Sequence, residues 1–181
     1  MGLTAGPGGV FTPRMSHPVS PAVADAPAGQ LPPTIARVLD RFRALGREEK
    51  MQALVGYAKK LEPVPARYAE ADRAAYTVPE CQTRVDLFPE VAPDGTLHFY
   101  ADVNARQSPT VAAVLAITFQ AVNGQPPAVT LGIPPDYVRR LMEGIGLAAR
   151  EVGLNAMVER LKRHAREAEA ARARPAAPQT A

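Results

Sequence analysis

Several residue types are rare in this sequence, and each shortage excludes a class of protein. The chain of 181 residues has one cysteine, no tryptophan and 6% aromatic residues. One cysteine cannot form an intramolecular disulfide or a metal site built from several thiolates, and it suits a reducing compartment. No apolar run approaches the roughly 20 residues that a membrane-spanning helix needs, and the first 30 residues lack the apolar segment of a secretory signal peptide. We therefore expect a cytoplasmic protein without a membrane span.

The sequence also lacks the motifs of metal, nucleotide and nucleic-acid binding. His17, His98 and His164 fall in three separate segments, so we predict no metal site. The glycine-rich stretch 6–9 has no flanking strand and helix, so we predict no bound nucleotide cofactor. The basic stretch Arg160–Arg166 lies at helical spacing opposite an apolar face and contains no aromatic residue. This favours a solvent-exposed helix face over a nucleic-acid surface, and the net charge of +3 is small for a protein that binds phosphates.

Composition divides the chain into a folded part and two tails. Apolar residues make up 46% and charged residues 22% of the whole, which is typical of a globular domain. Residues 1–33, in contrast, hold seven of the 19 prolines and only two charged side chains. Such a segment cannot bury enough apolar surface to offset the entropy of ordering it. We predict a disordered tail over residues 1–32, one domain over residues 33–172 and a second disordered tail over residues 173–181.

Apolar residues at helical spacing predict five helices. These cover residues 34–45, 47–61, 109–122, 136–142 and 150–171. The third helix has a clear start signal, because Ser108 is a favoured N-cap residue and Pro109 a favoured first residue. The second helix is expected to bury one face, formed by Met51, Leu54, Val55, Ala58 and Leu61.

A hairpin is predicted between the second and third of these helices. Thr83–Phe88 is a short segment of strand type that stops at Pro89. Asp94 and Gly95 form a hairpin turn signal, and Leu97–Val103 then alternates apolar and polar residues. Helices and strands in this order predict an α+β domain, in which helices cover a small antiparallel sheet.

The single cysteine, Cys81, lies in a polar loop before the first predicted strand. Pro79 has no N–H group and pushes the residue before it into an extended conformation. Glu80, Gln82 and Arg84 surround the thiol with side chains that are unsuited to an apolar core. Free cysteine is commonly buried, so Cys81 is either an inert core thiol or a reactive one. In the second case Arg84 would raise the thiolate fraction and Glu80 would lower it.

The segment around the cysteine, Pro-Glu-Cys-Gln-Thr at Pro79–Thr83, resembles the cysteine loop of the SufE family. Members of that family accept sulfur from cysteine desulfurases in iron–sulfur cluster assembly. Further stretches are similar in order and spacing, and the resemblance covers about residues 33–166: Arg47–Lys50, Pro109–Val111, and Arg150 with Gly153, Leu154 and Met157. Asp86 stands where the family usually has an aromatic or apolar residue. The resemblance implies a SufE-like fold with about three strands, the third near residues 76–78 or 89–91.

The resemblance also implies roles for the residues of the loop. Cys81 would accept the sulfur as a persulfide. The residues that would shape the loop, contact the partner or stabilise the thiolate are Glu80, Gln82, Thr83, Arg84 and Arg150. For Arg150, an ordinary surface charge at a helix end is the alternative. The implied partner is a cysteine desulfurase with its own pyridoxal phosphate, and a scaffold protein for iron–sulfur clusters would receive the sulfur; the chain itself needs no cofactor.

Three functions fit this pattern. The first is a sulfur acceptor that stimulates a desulfurase, which would be an accessory carrier rather than a stand-alone enzyme. The second is a regulatory module that docks on the desulfurase without carrying sulfur, and it would tolerate loss of the thiol. The third, a single-cysteine peroxide sensor or reductase, is disfavoured because the chain has no resolving cysteine.

Overall fold

The computed structural model describes residues 31–146 and 148–174 of the chain. The tails predicted over residues 1–32 and 173–181 lie outside this part, apart from two residues of each. The described residues form a helix–hairpin–helix order that confirms the predicted α+β architecture. The elements are α1 Pro33–Ala44, α2 Arg47–Ala58, α3 Arg73–Tyr76, β1 Val85–Val91, β2 Leu97–Val103, α4 Pro109–Val122, α5 Pro127–Leu131, α6 Tyr137–Met142 and α7 Glu151–Ala173, with short 3-10 turns at Ala66–Tyr68 and Ala148–Arg150.

β1 and β2 pair along their whole length as an antiparallel hairpin. The predicted turn is confirmed: Gly95 has a φ of 83°, which glycine adopts without strain, and Asp94 accepts a hydrogen bond from the backbone N–H of Thr96 at 2.9 Å. The prediction that the first strand stops at Pro89 is wrong, since β1 continues to Val91. β1 is an edge strand, and a proline there does not interrupt a ladder of hydrogen bonds on its outer side.

The third strand that the family resemblance implies is reduced to one residue in the described part of the chain. Thr77 forms a single antiparallel bridge with Asp86 of β1. Pro79 follows two residues later and has no N–H group to extend the pairing. The hairpin is therefore flanked on this side by the start of the cysteine loop.

The core is built around α4. Twelve of its 14 residues are buried, as expected for a helix that is apolar on all sides and enclosed by other elements. β2, α1 and α2 all pack against it. The start of this helix agrees with the prediction, because Ser108 is the N-cap residue and Pro109 the first helical residue. The face of α1 that the apolar spacing predicts is also buried: Ile35, Val38, Leu39 and Phe42.

The predicted inner face of α2 is wrong in part. Leu54 and Ala58 are buried, but Met51 is 38% and Val55 44% exposed. The buried face instead runs through Lys50, whose Nζ donates a hydrogen bond to the backbone oxygen of Glu143 at 2.7 Å. The long stem of a lysine can cover apolar surface while its ammonium group reaches a polar partner.

The basic stretch of α7 is likewise only partly a solvent-exposed face. Arg163 and Arg166 are exposed, as predicted, but Lys162 is buried and Arg160 half-buried. Arg160 donates hydrogen bonds to two backbone oxygens that precede the cysteine loop. A charged side chain can point inward when carbonyl oxygens accept its hydrogen bonds in this way. The apolar face of α7 is confirmed by its buried residues, among them Leu154, Met157, Val158 and Leu161. No helix of the described part of the chain has the length and apolar character to cross a bilayer.

Candidate functional site

The cysteine loop consists of residues 79–84, between α3 and β1. Its neck is closed by a hydrogen bond from the backbone N–H of Val78 to the oxygen of Val85 at 2.9 Å. Within the loop, the backbone N–H of Cys81 donates to the oxygen of Val78 at 3.3 Å. The loop therefore makes a tight turn directly after the neck, and Cys81 stands in that turn.

A second hydrogen bond attaches the other half of the loop to α4. The hydroxyl oxygens of Thr83 and Ser108 lie 2.8 Å apart. The hydroxyl of Ser108 makes this contact and does not cap α4, although Ser108 is the N-cap residue. Because Ser108 is buried, the contact holds the end of the loop against the domain.

Cys81 is half-buried and rests on the first turn of α7. The contact is close because the residue opposite it is Gly153: a Cβ atom placed there would lie 3.0 Å from the Cα and 3.3 Å from the Sγ of Cys81. The backbone of the loop thus approaches α7 more closely than a side chain would allow. The thiol is neither locked inside the core nor freely projecting into solvent.

A cavity of about 250 Å³ lies next to the thiol. Five of the six predicted site residues line it, and Arg84 is the exception among them. The complete lining in the described part of the chain is Glu80, Cys81, Gln82, Thr83, Val111, Ala149, Arg150, Val152 and Gly153. Glu80, Gln82 and Arg150 are exposed at its rim. The structure therefore brings the cysteine loop and the start of α7 together around one opening.

Arg84 is directed away from the cavity toward Asp86, with 3.5 Å between the guanidinium and the carboxylate. Asp86 is buried and also accepts a hydrogen bond from the hydroxyl of Thr77 at 2.6 Å. Arg73 pairs with Asp86 at 3.2 Å and with Asp102. Hydrogen bonds to Asp102 and Asp86 raise the pKa of Arg73 above its ordinary value. Asp86, where the resemblance implies an aromatic or apolar residue, thus belongs to a charge network at the neck of the loop.

Arg160 of α7 also holds the segment before the loop. Its guanidinium donates to the backbone oxygens of Thr77 at 2.8 Å and Ala75 at 2.6 Å. Burial lowers its pKa below the ordinary value. A groove of about 290 Å³ beside it shares Glu80 with the cysteine cavity and is lined further by Ala156, Glu159, Arg160, Arg163 and Arg166.

Sequence reasoning did not identify Gly153 or Arg160 as residues that position the cysteine loop. For Gly153 a signal existed, because a glycine within a helix reduces helix stability and often marks a close approach. For Arg160 the helical spacing pointed to solvent, and the direction of its side chain depends on carbonyl groups 83 and 85 residues away in the sequence. In the described residues, no three His, Cys, Asp or Glu side chains are grouped so that they could hold a metal ion.

Comparison with known proteins places the chain in a family. Residues 36–165 match the family model of SufE, the Fe–S metabolism associated domain. An uncharacterised SufE-like protein of Mycobacterium tuberculosis is 34% identical over 151 residues, which cover 80% of this chain and 99% of the relative. An uncharacterised SufE-like protein of Synechocystis sp. is 29% identical over 109 residues, or 60% of this chain and 64% of that protein.

The fold has a counterpart among solved structures. The solution structure of a hypothetical protein from Thermus thermophilus superposes with a TM-score of 0.66 and 29% sequence identity. The superposition covers 78% of this chain and 99% of that protein. The cysteine loop, the helices around it and these similarities lead to one assignment: the chain belongs to the SufE family, whose domain is associated with Fe–S metabolism.

Proposed function

We propose that the chain takes persulfide sulfur from a cysteine desulfurase onto Cys81, stimulates that enzyme, and hands the sulfur on for iron–sulfur cluster assembly. The observation that carries the proposal is the position of the thiol. Cys81 is half-buried on a loop and lines a cavity with Arg150 at its rim, in a chain of a family associated with Fe–S metabolism. An inert core thiol would be fully enclosed by apolar side chains.

The transfer needs one nucleophilic displacement. The Cys81 thiolate attacks the outer sulfur of the donor cysteine, which carries the persulfide R–S–SH. A new sulfur–sulfur bond forms at Cys81 while the bond in the donor breaks, and the donor cysteine leaves as a thiolate. Cys81 then carries S–SH, so atoms, protons and electrons balance without an external oxidant or reductant.

The cavity has room for the extra sulfur atom. Its volume is about 250 Å³, whereas a water molecule occupies about 30 Å³ of liquid. Val111 and Gly153 line the wall beside Cys81, so a persulfide folded into the cavity would be shielded on that side. Such shielding matters because exposed low-valent sulfur is readily oxidised.

The start of α7 supplies positive potential at the same place. The dipole of a helix favours negative charge at its first turn, and the charged residues at this end of α7 are Arg150 and Glu151. Arg150 immediately precedes this turn and is exposed at the rim of the cavity. In the proposed function, Arg150 is therefore available to an anionic persulfide or to the partner protein.

The other predicted site residues have different roles in this proposal. Glu80 and Gln82 lie at the exposed rim, where they would contact the desulfurase. Thr83 anchors the loop to α4 through its hydroxyl. Arg84 supports the neck of the loop through Asp86 and does not face the thiol. Val152, which is 71% exposed beside the cavity, adds an apolar contact for a partner.

The experiment that tests the proposal is mass spectrometry of the chain after incubation with a cysteine desulfurase and cysteine. We expect Cys81 to gain one or more sulfur atoms and the desulfurase to turn over faster. Cys81→Ser should fold normally, gain no sulfur and fail to stimulate. Full stimulation by Cys81→Ser would instead identify the chain as a docking module that carries no sulfur.

A further inference from the structure

We propose that Gly153 is a positioning residue for Cys81, because its missing side chain creates the seat in which the thiol rests. Gly153 lies in the first turn of α7, directly opposite the loop, and both residues line the same cavity. The seat itself is inferred from geometry alone. Its meaning for sulfur transfer rests on the proposed function.

The distances show how little space the seat leaves. A Cβ atom at position 153 would lie 3.0 Å from the Cα, 3.3 Å from the Cβ and 3.3 Å from the Sγ of Cys81. Carbon atoms in van der Waals contact are about 3.5–4.0 Å apart. A methyl group at position 153 would therefore lie several tenths of an ångström too close to Cys81 in its present position.

The backbone conformation at position 153 does not explain the glycine. Gly153 has the ordinary conformation of an α-helix, which any residue can adopt. Glycine inside a helix destabilises it by roughly 0.5–1 kcal/mol relative to alanine. The close approach of Cys81 is the feature of the structure that requires a glycine here.

The surroundings determine which part would move if a methyl group were added. α7 is a helix of 23 residues that is packed on the core, so it cannot easily retreat. The loop is tied at its two ends, by Val78 with Val85 and by Thr83 with Ser108. The added methyl group should therefore push the middle of the loop outward, and with it the thiol of Cys81.

The test compares Gly153→Ala with a matched control, Gly56→Ala. Gly56 lies in the interior of α2 and is exposed, and apart from its chain neighbours and the backbone of its own helix, no atom of the described residues comes within 4 Å of a Cβ placed there. The measured quantity is the rate at which an aromatic disulfide reagent modifies Cys81, together with the melting temperature. From the usual cost of overpacking, we expect Gly153→Ala to react on the order of fivefold faster than the wild type. Gly56→Ala should react at the wild-type rate.

Equal rates in all three proteins would overturn the inference. If Gly153→Ala does not fold well, the same substitution is made together with Cys81→Gly, which removes the Cβ and Sγ atoms at 3.3 Å and leaves only the Cα at 3.0 Å. We expect the loss of stability to be smaller in that background than in the wild type. An equal loss in both backgrounds would show that the side chain of Cys81 takes no part in the contact with position 153, and it would also overturn the inference.

These measurements need no desulfurase, so they are independent of the proposed function. A second readout is oxidation of Cys81 by hydrogen peroxide, which should be faster in Gly153→Ala because the thiol has left its seat. Sulfur loading of the wild type by a desulfurase is measured in parallel. If the wild type gains no sulfur while Gly153→Ala reacts faster, the proposed function is refuted and the positioning role of Gly153 is supported. If the wild type gains sulfur while Gly153→Ala reacts at the wild-type rate, the positioning role is refuted and the proposed function is supported.

Discussion

Replacement of Asp86 with asparagine tests the buried charge at the neck of the cysteine loop. Asp86 is 1% exposed; its carboxylate accepts a hydrogen bond from Thr77 at 2.6 Å and pairs with Arg73 at 3.2 Å and Arg84 at 3.5 Å. Asparagine keeps the shape and one acceptor oxygen but carries no charge. The substitution therefore isolates the electrostatic contribution of the network.

The expected loss of stability follows from the individual contacts. A hydrogen bond to a charged group contributes about 1.5–3 kcal/mol to stability, and one to a neutral group about 1 kcal/mol. In Asp86→Asn the hydroxyl of Thr77 donates to a neutral acceptor, so this bond loses about 1 kcal/mol. Removing one partner of a buried ion pair can cost about 3–5 kcal/mol, because the other charge stays buried without a partner. Arg73, however, is partly exposed and keeps its contact with Asp102. We therefore expect about 1 kcal/mol from this pair. The sum of about 2 kcal/mol should lower the melting temperature by about 4–8 °C.

The assay is urea unfolding followed by circular dichroism, with Asp102→Asn as the matched control. Asp102 pairs with the same Arg73, but its side chain is 52% exposed, so its loss should cost less than about 1 kcal/mol. The neck of the loop should also loosen in Asp86→Asn, which would speed modification of Cys81. Unchanged stability in Asp86→Asn, or an equal loss in both variants, would refute the reasoning.

Three further predictions concern the loop, the pH dependence and the cavity rim. Thr83→Val removes the hydroxyl that anchors the loop to α4; it should cost about 1 kcal/mol and speed modification of Cys81, and an unchanged modification rate would argue against the anchor. Burial, aided by a hydrogen bond to a carboxylate, raises the pKa of Tyr68 from 10 to about 12, so its contribution to stability is complete below pH 10 and declines up to about pH 12. Tyr68→Phe should lose that part of the alkaline decline in urea unfolding, and an equal decline in both proteins would contradict the assignment. Arg150→Ala should slow sulfur loading on the order of tenfold at unchanged melting temperature, whereas Arg41→Ala, an exposed control on α1, should load normally; equal loading of both variants would remove Arg150 from the site.

Local signals in the sequence were sufficient for much of the fold. The apolar face of α1, the start of α4 at Pro109 and the hairpin turn at Asp94 and Gly95 depend on residues close together in the chain. Propensity and spacing describe such features directly. The position of Cys81 on a loop followed from its neighbours in the same way.

Long-range contacts explain what the sequence did not predict. Lys50 lies on the buried face of α2 and donates a hydrogen bond to the backbone oxygen of Glu143, which is 93 residues away in the sequence. The side chain of Arg160 points inward because backbone oxygens before the loop accept hydrogen bonds from its guanidinium. Asp86 forms a charge network with residues from α3 and β2, and the tight contact at Gly153 depends on how α7 packs on the loop. None of these partners is a neighbour in the sequence.

The most direct test of the proposed function is a single-turnover transfer with a desulfurase whose catalytic cysteine carries a radiolabelled persulfide. The free cysteine substrate is removed before the chain is added, so the label can come only from the donor persulfide. The account predicts that the label moves to Cys81, that it is released by a reductant, and that the donor thiol is regenerated in equal amount. Label that stays on the desulfurase, or that reaches the Cys81→Ser variant to the same extent, would contradict the account.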